Sequence, residues 1–195
     1  MTKSTTNHWV TRFAALILCA ALGACSTVKV PAPSASPENV EKLRASGIAA
    51  AKAGTFSIGQ GFTAEQDRQQ GGLRSNSVEP EGGSFAGHLR ATLVAELQAA
   101  GLYDDKSPIV IEGQLVESKL DAAIGTGTGS LAARFTVTRA GKKVFEKTLR
   151  VNDQWESSFI GAVALPLAIN KYTGFYKGLV GKLIDDPEFR SALAK

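Results

Sequence analysis

The chain has 195 residues, 22 of them basic and 18 acidic, for a formal net charge of +4. That length suits one ordinary domain with short appendages, and without any Lys/Arg run it gives little support to nucleic-acid binding. Two cysteines are too few for a disulfide framework, and cleavage of an N-terminal leader would leave His88 as the only histidine, short of the three or four ligands of a metal centre.

Lys3 and Arg12 are the only charged residues before Cys25, and both precede the apolar run 13–22. That run has the length of a signal-peptide core and falls well short of the ~20 apolar residues that span a bilayer as a helix. Gly23 and Ala24 then lead into Cys25. A plain secretory leader, or an uncleaved N-terminal anchor, needs only the apolar run and the small residues; the cysteine placed directly after them is additional information. Leu22-Gly23-Ala24-Cys25 resembles the lipobox of bacterial lipoproteins. The resemblance implies cleavage between Ala24 and Cys25 and acylation of Cys25, which becomes the first residue of the mature chain. Several acyl chains on one residue anchor stably, since each buried CH₂ contributes roughly 0.8 kcal/mol. Ser26, in place of Asp, implies sorting to the outer membrane by analogy with enterobacterial lipoproteins. The expected organisation is a leader over 1–24, an acylated cysteine with a flexible tether over 25–37, and one periplasmic domain over 38–195.

Cleavage removes Cys19, so the mature chain keeps a single cysteine and no internal disulfide. Lys3 and Arg12 leave as well, which brings the net charge two units nearer to zero. Residues 26–37 carry Pro31, Pro33 and Pro37 among small and polar residues, a composition that favours extended polyproline II and a spacer function.

Ser36-Pro37-Glu38 predicts a helix start, with Val40 and Leu43 inward and Gly47 ending the segment. Residues 54–59 alternate as a short strand. Residues 60–83 are poor in apolar groups and read as a long loop, in which Leu73 and Val78 mark at most one further strand. Ser84 caps a helix over 85–100 whose Phe85, Leu89, Leu93 and Leu97 form one stripe, and Gly101 stands at the C-cap. Strands are predicted over 109–120, 130–139 and 142–155, with Ala140-Gly141 as a hairpin turn, and such short connections require antiparallel neighbours. A long helix carries Leu165, Ala168, Ile169, Tyr172, Phe175, Tyr176, Leu179, Val180 and Leu183 at a 3.6-residue period. Its Gly174, Gly178 and Gly181 allow close approach, either of this protein's own sheet or of another backbone. Asp186-Pro187-Glu188 caps a last short helix. The fold expected is α+β: a two-layer sandwich in which an antiparallel sheet of about four strands carries two main helices on one face, in the order β-α-β-β-β-α.

The run Gly125-Thr126-Gly127-Thr128-Gly129-Ser130 leads into a strand, whereas phosphate-cradling loops lead into a helix N-terminus, so it reads as a flexible hairpin connection. His88 lacks ligating neighbours, and no serine sits in a Gly-x-Ser-x-Gly elbow. Asp104-Asp105 and Asp185-Asp186 have turn and capping explanations. Trp155-Glu156-Ser157-Ser158 reads either as a recognition surface or as a core edge followed by a helix cap. The candidate partner surface is therefore Gly125, Gly127, Gly129, Trp155, Glu156 and Ser157, with no catalytic residue, metal or cofactor expected.

The stretch 84–104, the strands from Ile109 and over 131–139, and the ending 183–189 resemble the small YajG-type envelope lipoproteins. The element order is also similar to LptE, the lipopolysaccharide-assembly lipoprotein, and to TolB N-terminal and CsgG-like modules. The resemblance implies a non-enzymatic periplasmic domain docking on envelope machinery, and it carries over no functional residue. An anchored binding module for an envelope protein or glycolipid is expected first. A subunit of an oligomeric export or secretion assembly comes second, and a hydrolase of envelope polymers last.

Overall fold

The strands with the clearest alternation form the middle of the main sheet. In a computed structural model that describes residues 27–195, β5 (Ile109–Asp121), β6 (Gly125–Arg139) and β7 (Lys142–Ser157) make an antiparallel meander. The leader and the Leu22–Cys25 box, with Ala24 and Cys25, lie outside the described residues. Leu131, Ala133, Phe135 and Val137 of β6 are all buried on one face, while Arg134 on the other is exposed. In β5 an extra residue between Leu115 and Glu117 shifts the register, which keeps Ser118 and Leu120 on the same inward face as Ile109 and Ile111.

The fourth strand, β2 (Lys52–Ile58), completes the order β2-β5-β6-β7 and runs parallel to β5. The expected purely antiparallel sheet is thus corrected to a mixed one. The cause is the connection: fifty residues, 59–108, separate β2 from β5, including the long helix Phe85–Ala100, and a crossover of that kind returns the chain in its original direction.

The other differences lie in segments expected to be irregular. Helix α1 (Pro37–Ala45) follows as predicted, but the 60–83 stretch contains α2 (Ala64–Arg68), β3 (Gln70–Leu73) and β4 (Asn76–Pro80). Thr63 and Gln66 close a reciprocal capping box on α2. The tether is corrected too. Thr27–Val30 forms β1, parallel to β4, and Val30 is fully buried. Beyond it, Ser34 Oγ accepts from Lys177 Nζ at 2.9 Å, and Ser36 N–H donates to Glu96 Oε1 at 2.9 Å. Val28 and Val30 carry enough apolar surface to add a strand, and Pro31 ends it because it has no N–H to continue the ladder.

Helix α3 (Phe85–Ala100) begins on the Ser84 side chain, which accepts from Gly87 N–H, and ends on Gly101 at φ 75°. Gly101 needs this left-handed conformation so that Leu102 N–H can return to Leu97 C=O at 2.8 Å. Helix α4 (Gly161–Asp185) and α5 (Pro187–Ala192) follow, and Asp186 Oδ1 caps α5 by accepting from Glu188 and Phe189 N–H. Both long helices cover the inward face of the sheet, giving the expected α+β layers around one apolar core.

Asn39 ties α1 to both helices. Its Nδ2 donates to Glu96 Oε1 at 3.1 Å and to Lys177 C=O at 3.0 Å, and a Cβ on Gly181 would stand 2.8 Å from its Oδ1. Gly178 faces Val151 of β7, so these two glycines serve contacts within the chain. Burial pushes the Glu96 carboxyl pKa up, against the pull of the Ser36 and Asn39 hydrogen bonds. Asn39→Ala removes two of these contacts and leaves Glu96 short of a donor, so it is expected to cost about 2 kcal/mol in urea unfolding. A change below a few tenths would mean that α1 is not held by this triad.

Candidate functional site

The Gly-rich run is not a connection. Gly125 to Gly129 are paired residues of β6, facing Ser157 to Asp153 of β7, and the turn lies before them at 122–124. Gly127 and Gly129 point inward, where aromatic rings take the space a side chain would fill. A Cβ on Gly127 would stand 2.3 Å from Trp155 Nε1, and one on Gly129 would stand 2.4 Å from Phe175 Cε2. These glycines are therefore seats for an indole and a phenyl ring.

This turns most of the expected partner surface into core. Gly127, Gly129, Trp155 and Ser157 are buried, while Gly125 and Glu156 remain exposed. Of the two readings of Trp155-Glu156-Ser157-Ser158, the core edge holds, but the helix cap takes another form. The N-cap of α4 is Ile160, without a side-chain cap, and Ser158 Oγ accepts from Ile160 N–H at 3.1 Å. Trp155 Nε1 and Ser157 Oγ are buried without a hydrogen-bond partner among the described residues.

The accessible surface at this end carries a group of large apolar side chains, which no motif announced. Ile124 sits on the β5–β6 turn, Phe159 and Ile160 lie between β7 and α4, and Val163 and Leu167 project from the first turns of α4. Arg74, on the β3–β4 turn, binds these loops together: its guanidinium donates to Ala122 C=O at 3.0 Å, Ser158 C=O at 2.5 Å and Phe159 C=O at 3.0 Å. The signal in the sequence is the stretch 157–170, which contains no charged residue and carries more apolar residues than one helix face can bury.

Titratable groups sit where the fold uses them. His88 is buried with its ring 4.7 Å from that of Tyr176, and burial pushes its pKa down to about 4. Tyr172 OH lies 2.6 Å from Ser118 Oγ and 3.1 Å from Tyr176 OH, and burial pushes its pKa up to about 12. Asp104 accepts from Lys106 N–H in a turn, and Asp185 pairs with Lys42 at 2.7 Å. Among the described residues no three His, Cys, Asp or Glu side chains come together, and no helix is long and apolar enough to cross a membrane. A groove of about 670 Å³ lies at the opposite end, between Arg139, Glu146 and Glu188.

Both sheet edges are blunted. Arg90 donates from Nε and Nη2 to Gly54 and Ala53 C=O of β2, both at 2.9 Å. On β7, Lys147 and Asp153 turn toward the helix layer and pair with Asp186 and Lys171. A carbonyl already filled and an inward charge both discourage strand addition.

No family model and no curated protein matches the sequence. Solved structures do. A protein of Xanthomonas campestris described under the family model DUF330 aligns over 82% of this chain and 95% of its own, with a TM-score of 0.53 at 12% identity. At that identity the likeness concerns the fold. A minor lipoprotein from Acinetobacter baumannii covers 74% of this chain and 94% of its own, at 9% identity and a TM-score of 0.36. The rare lipoprotein B from Shewanella oneidensis covers 68% and 89%, at 10% identity and a TM-score of 0.37. Bacterial lipoproteins are thus among the similar structures, without selecting the YajG-type or LptE-like groups.

Proposed function

We propose that this protein is a lipid-anchored, non-catalytic module of the bacterial envelope, held on the periplasmic face of the outer membrane and binding another envelope component. The order of charge, apolar run, small residues and Cys25 carries the anchor. The non-catalytic part rests on His88, which faces Tyr176 inside the core and is held neutral by burial. The polar outer face of the sheet, with Arg134, Thr136 and Glu146 around a groove of about 290 Å³, is the surface offered to an envelope protein or a glycolipid. Photo-cross-linking in cells from Thr136 is expected to trap that component, and a bare face under cross-linking would remove this part of the reading.

Cys25→Ala tests the anchor. Wild-type protein is expected to remain in membranes washed with alkaline carbonate, and its N-terminal peptide to carry acyl mass. The variant is expected to be released by the wash. An unmodified wild-type peptide, or a variant retained like wild type, would overturn the reading.

A further inference from the structure

Five of the exposed apolar residues form one cap. Gly125 pairs with Ser157, so the turn bearing Ile124 and the segment bearing Phe159 and Ile160 leave adjacent strands at the same end. Ile160, Val163 and Leu167 recur at intervals of three and four, which aligns them on one side of α4. Ala164, Ala168 and Tyr172, all fully buried, form the other side. Phe159 is 77% exposed, Ile124 and Ile160 are 60%, Val163 is 56% and Leu167 is 36%. Side chains exposed to this degree and grouped together mark a contact surface.

The course of the chain says what covers it. Arg74 fastens the β3–β4 turn to the cap through Ala122, Ser158 and Phe159. β4 starts from that turn at Asn76, and β1 lies parallel to it, with Thr27 opposite Ser77. The described chain therefore enters the domain at the cap end and runs away from it. Cys25 stands two residues before Thr27, a chain reach of at most ~7 Å. Because β1 is built into the sheet, no long spacer separates the anchor from the domain.

We infer that the cap of Ile124, Phe159, Ile160, Val163 and Leu167 rests in the interface of the bilayer that holds the Cys25 acyl chains. This rests on the lipoprotein reading above. Cap and anchor act as two membrane contacts on one rigid end, which fixes the orientation of the domain and turns the β6–β7 hairpin away from the lipid.

The test uses the full acylated protein in vesicles of phosphatidylethanolamine and phosphatidylglycerol, with and without brominated acyl chains. Phe159→Trp places a reporter on the cap, and Val144→Trp places one near the opposite hairpin, where the side chain is 41% exposed. Wild type supplies the background of buried Trp155. Emission from Phe159→Trp is expected to shift to the blue and to fall about twofold with brominated lipid, as for a side chain 5–10 Å into the interface. Val144→Trp is expected to be unaffected. If Phe159→Trp is not quenched on a chain that floats with vesicles and carries acyl mass, the inference fails and the lipoprotein reading stands. Equal quenching at both positions overturns it as non-specific adsorption. An unquenched, blue-shifted reporter with concentration-dependent size assigns the cap to a second copy and overturns it as well. Absence of acyl mass removes the anchored reading, and the inference with it.

Discussion

Gly72→Ala is expected to destabilise the protein by about 3–5 kcal/mol, adding a left-handed backbone penalty to overpacking. Gly72 has φ 98°, and a Cβ there would stand 1.6 Å from Leu120 C=O. The obstacle is backbone, so no rotamer change relieves it. The same approach brings Ala122 N–H to Gly72 C=O at 2.7 Å, which fastens the small three-stranded sheet β1-β4-β3 to the end of β5. Gly71 supplies the control: nothing lies within 4 Å of its Cβ position and its φ is not positive, so Gly71→Ala should stay within about 0.5 kcal/mol. Urea unfolding of the pair measures the difference. If the small sheet peels away before the core opens, the loss appears as faster amide exchange at Val30 and Val78. A Gly72→Ala protein that matches Gly71→Ala in both measurements would contradict the β3–β5 junction.

Acidification from about pH 7.5 to pH 4 is expected to remove roughly 3 kcal/mol through His88 alone. In the unfolded chain the imidazole protonates near 6.5, whereas in the core it stays neutral until about 4. Between those values the unfolded state binds more protons. The contribution of His88 is therefore complete above 6.5, declines as pH falls through the window, and is lost below about 4. Glu96 acts the other way: its raised pKa means the native state takes up a proton first, so falling pH favours folding at that residue. The measurement that separates them is the stability of wild type minus that of His88→Gln across the window. That difference should shrink by roughly 3 kcal/mol from the high to the low end, and parallel curves would show that His88 is not held neutral.

Much of the architecture was legible because local and long-range signals agreed. Ser84 and Gly101 bracket α3, Ala140-Gly141 turns β6 into β7, and the β6 alternation names its buried face. The parallel pairing of β2 was not legible, since orientation depends on where a long crossover returns. β1 was hidden by the prolines after it, although Val28 and Val30 carry the alternation that buries Val30. The capping box of Thr63 and Gln66 was present in the sequence and missed, because a five-residue helix has no apolar stripe to draw attention to it.

The candidate site was misread for one physical reason. The Gly-rich run suggests freedom, but Gly127 and Gly129 lie in phase with Leu131, Ala133, Phe135 and Val137, and that phase places them inward. An inward glycine beside an aromatic residue marks an occupied seat. The exposed end is missing from the expectations because Ile160, Val163 and Leu167 fall outside the helical stripe that begins at Leu165, on the outer side of α4.

The strand β1 also decides how the domain bears load. A pull on the chain ahead of Thr27 acts along the axis of β1, so all four of its residue pairs with β4 slide together instead of opening one after another. Behind them, Ser34, Ser36 and Asn39 grip the two long helices. A companion molecule tugging on the outer sheet face would therefore strain a sheared ladder and a helix clasp in series, and the domain would keep its shape while its tie to the surface is under tension.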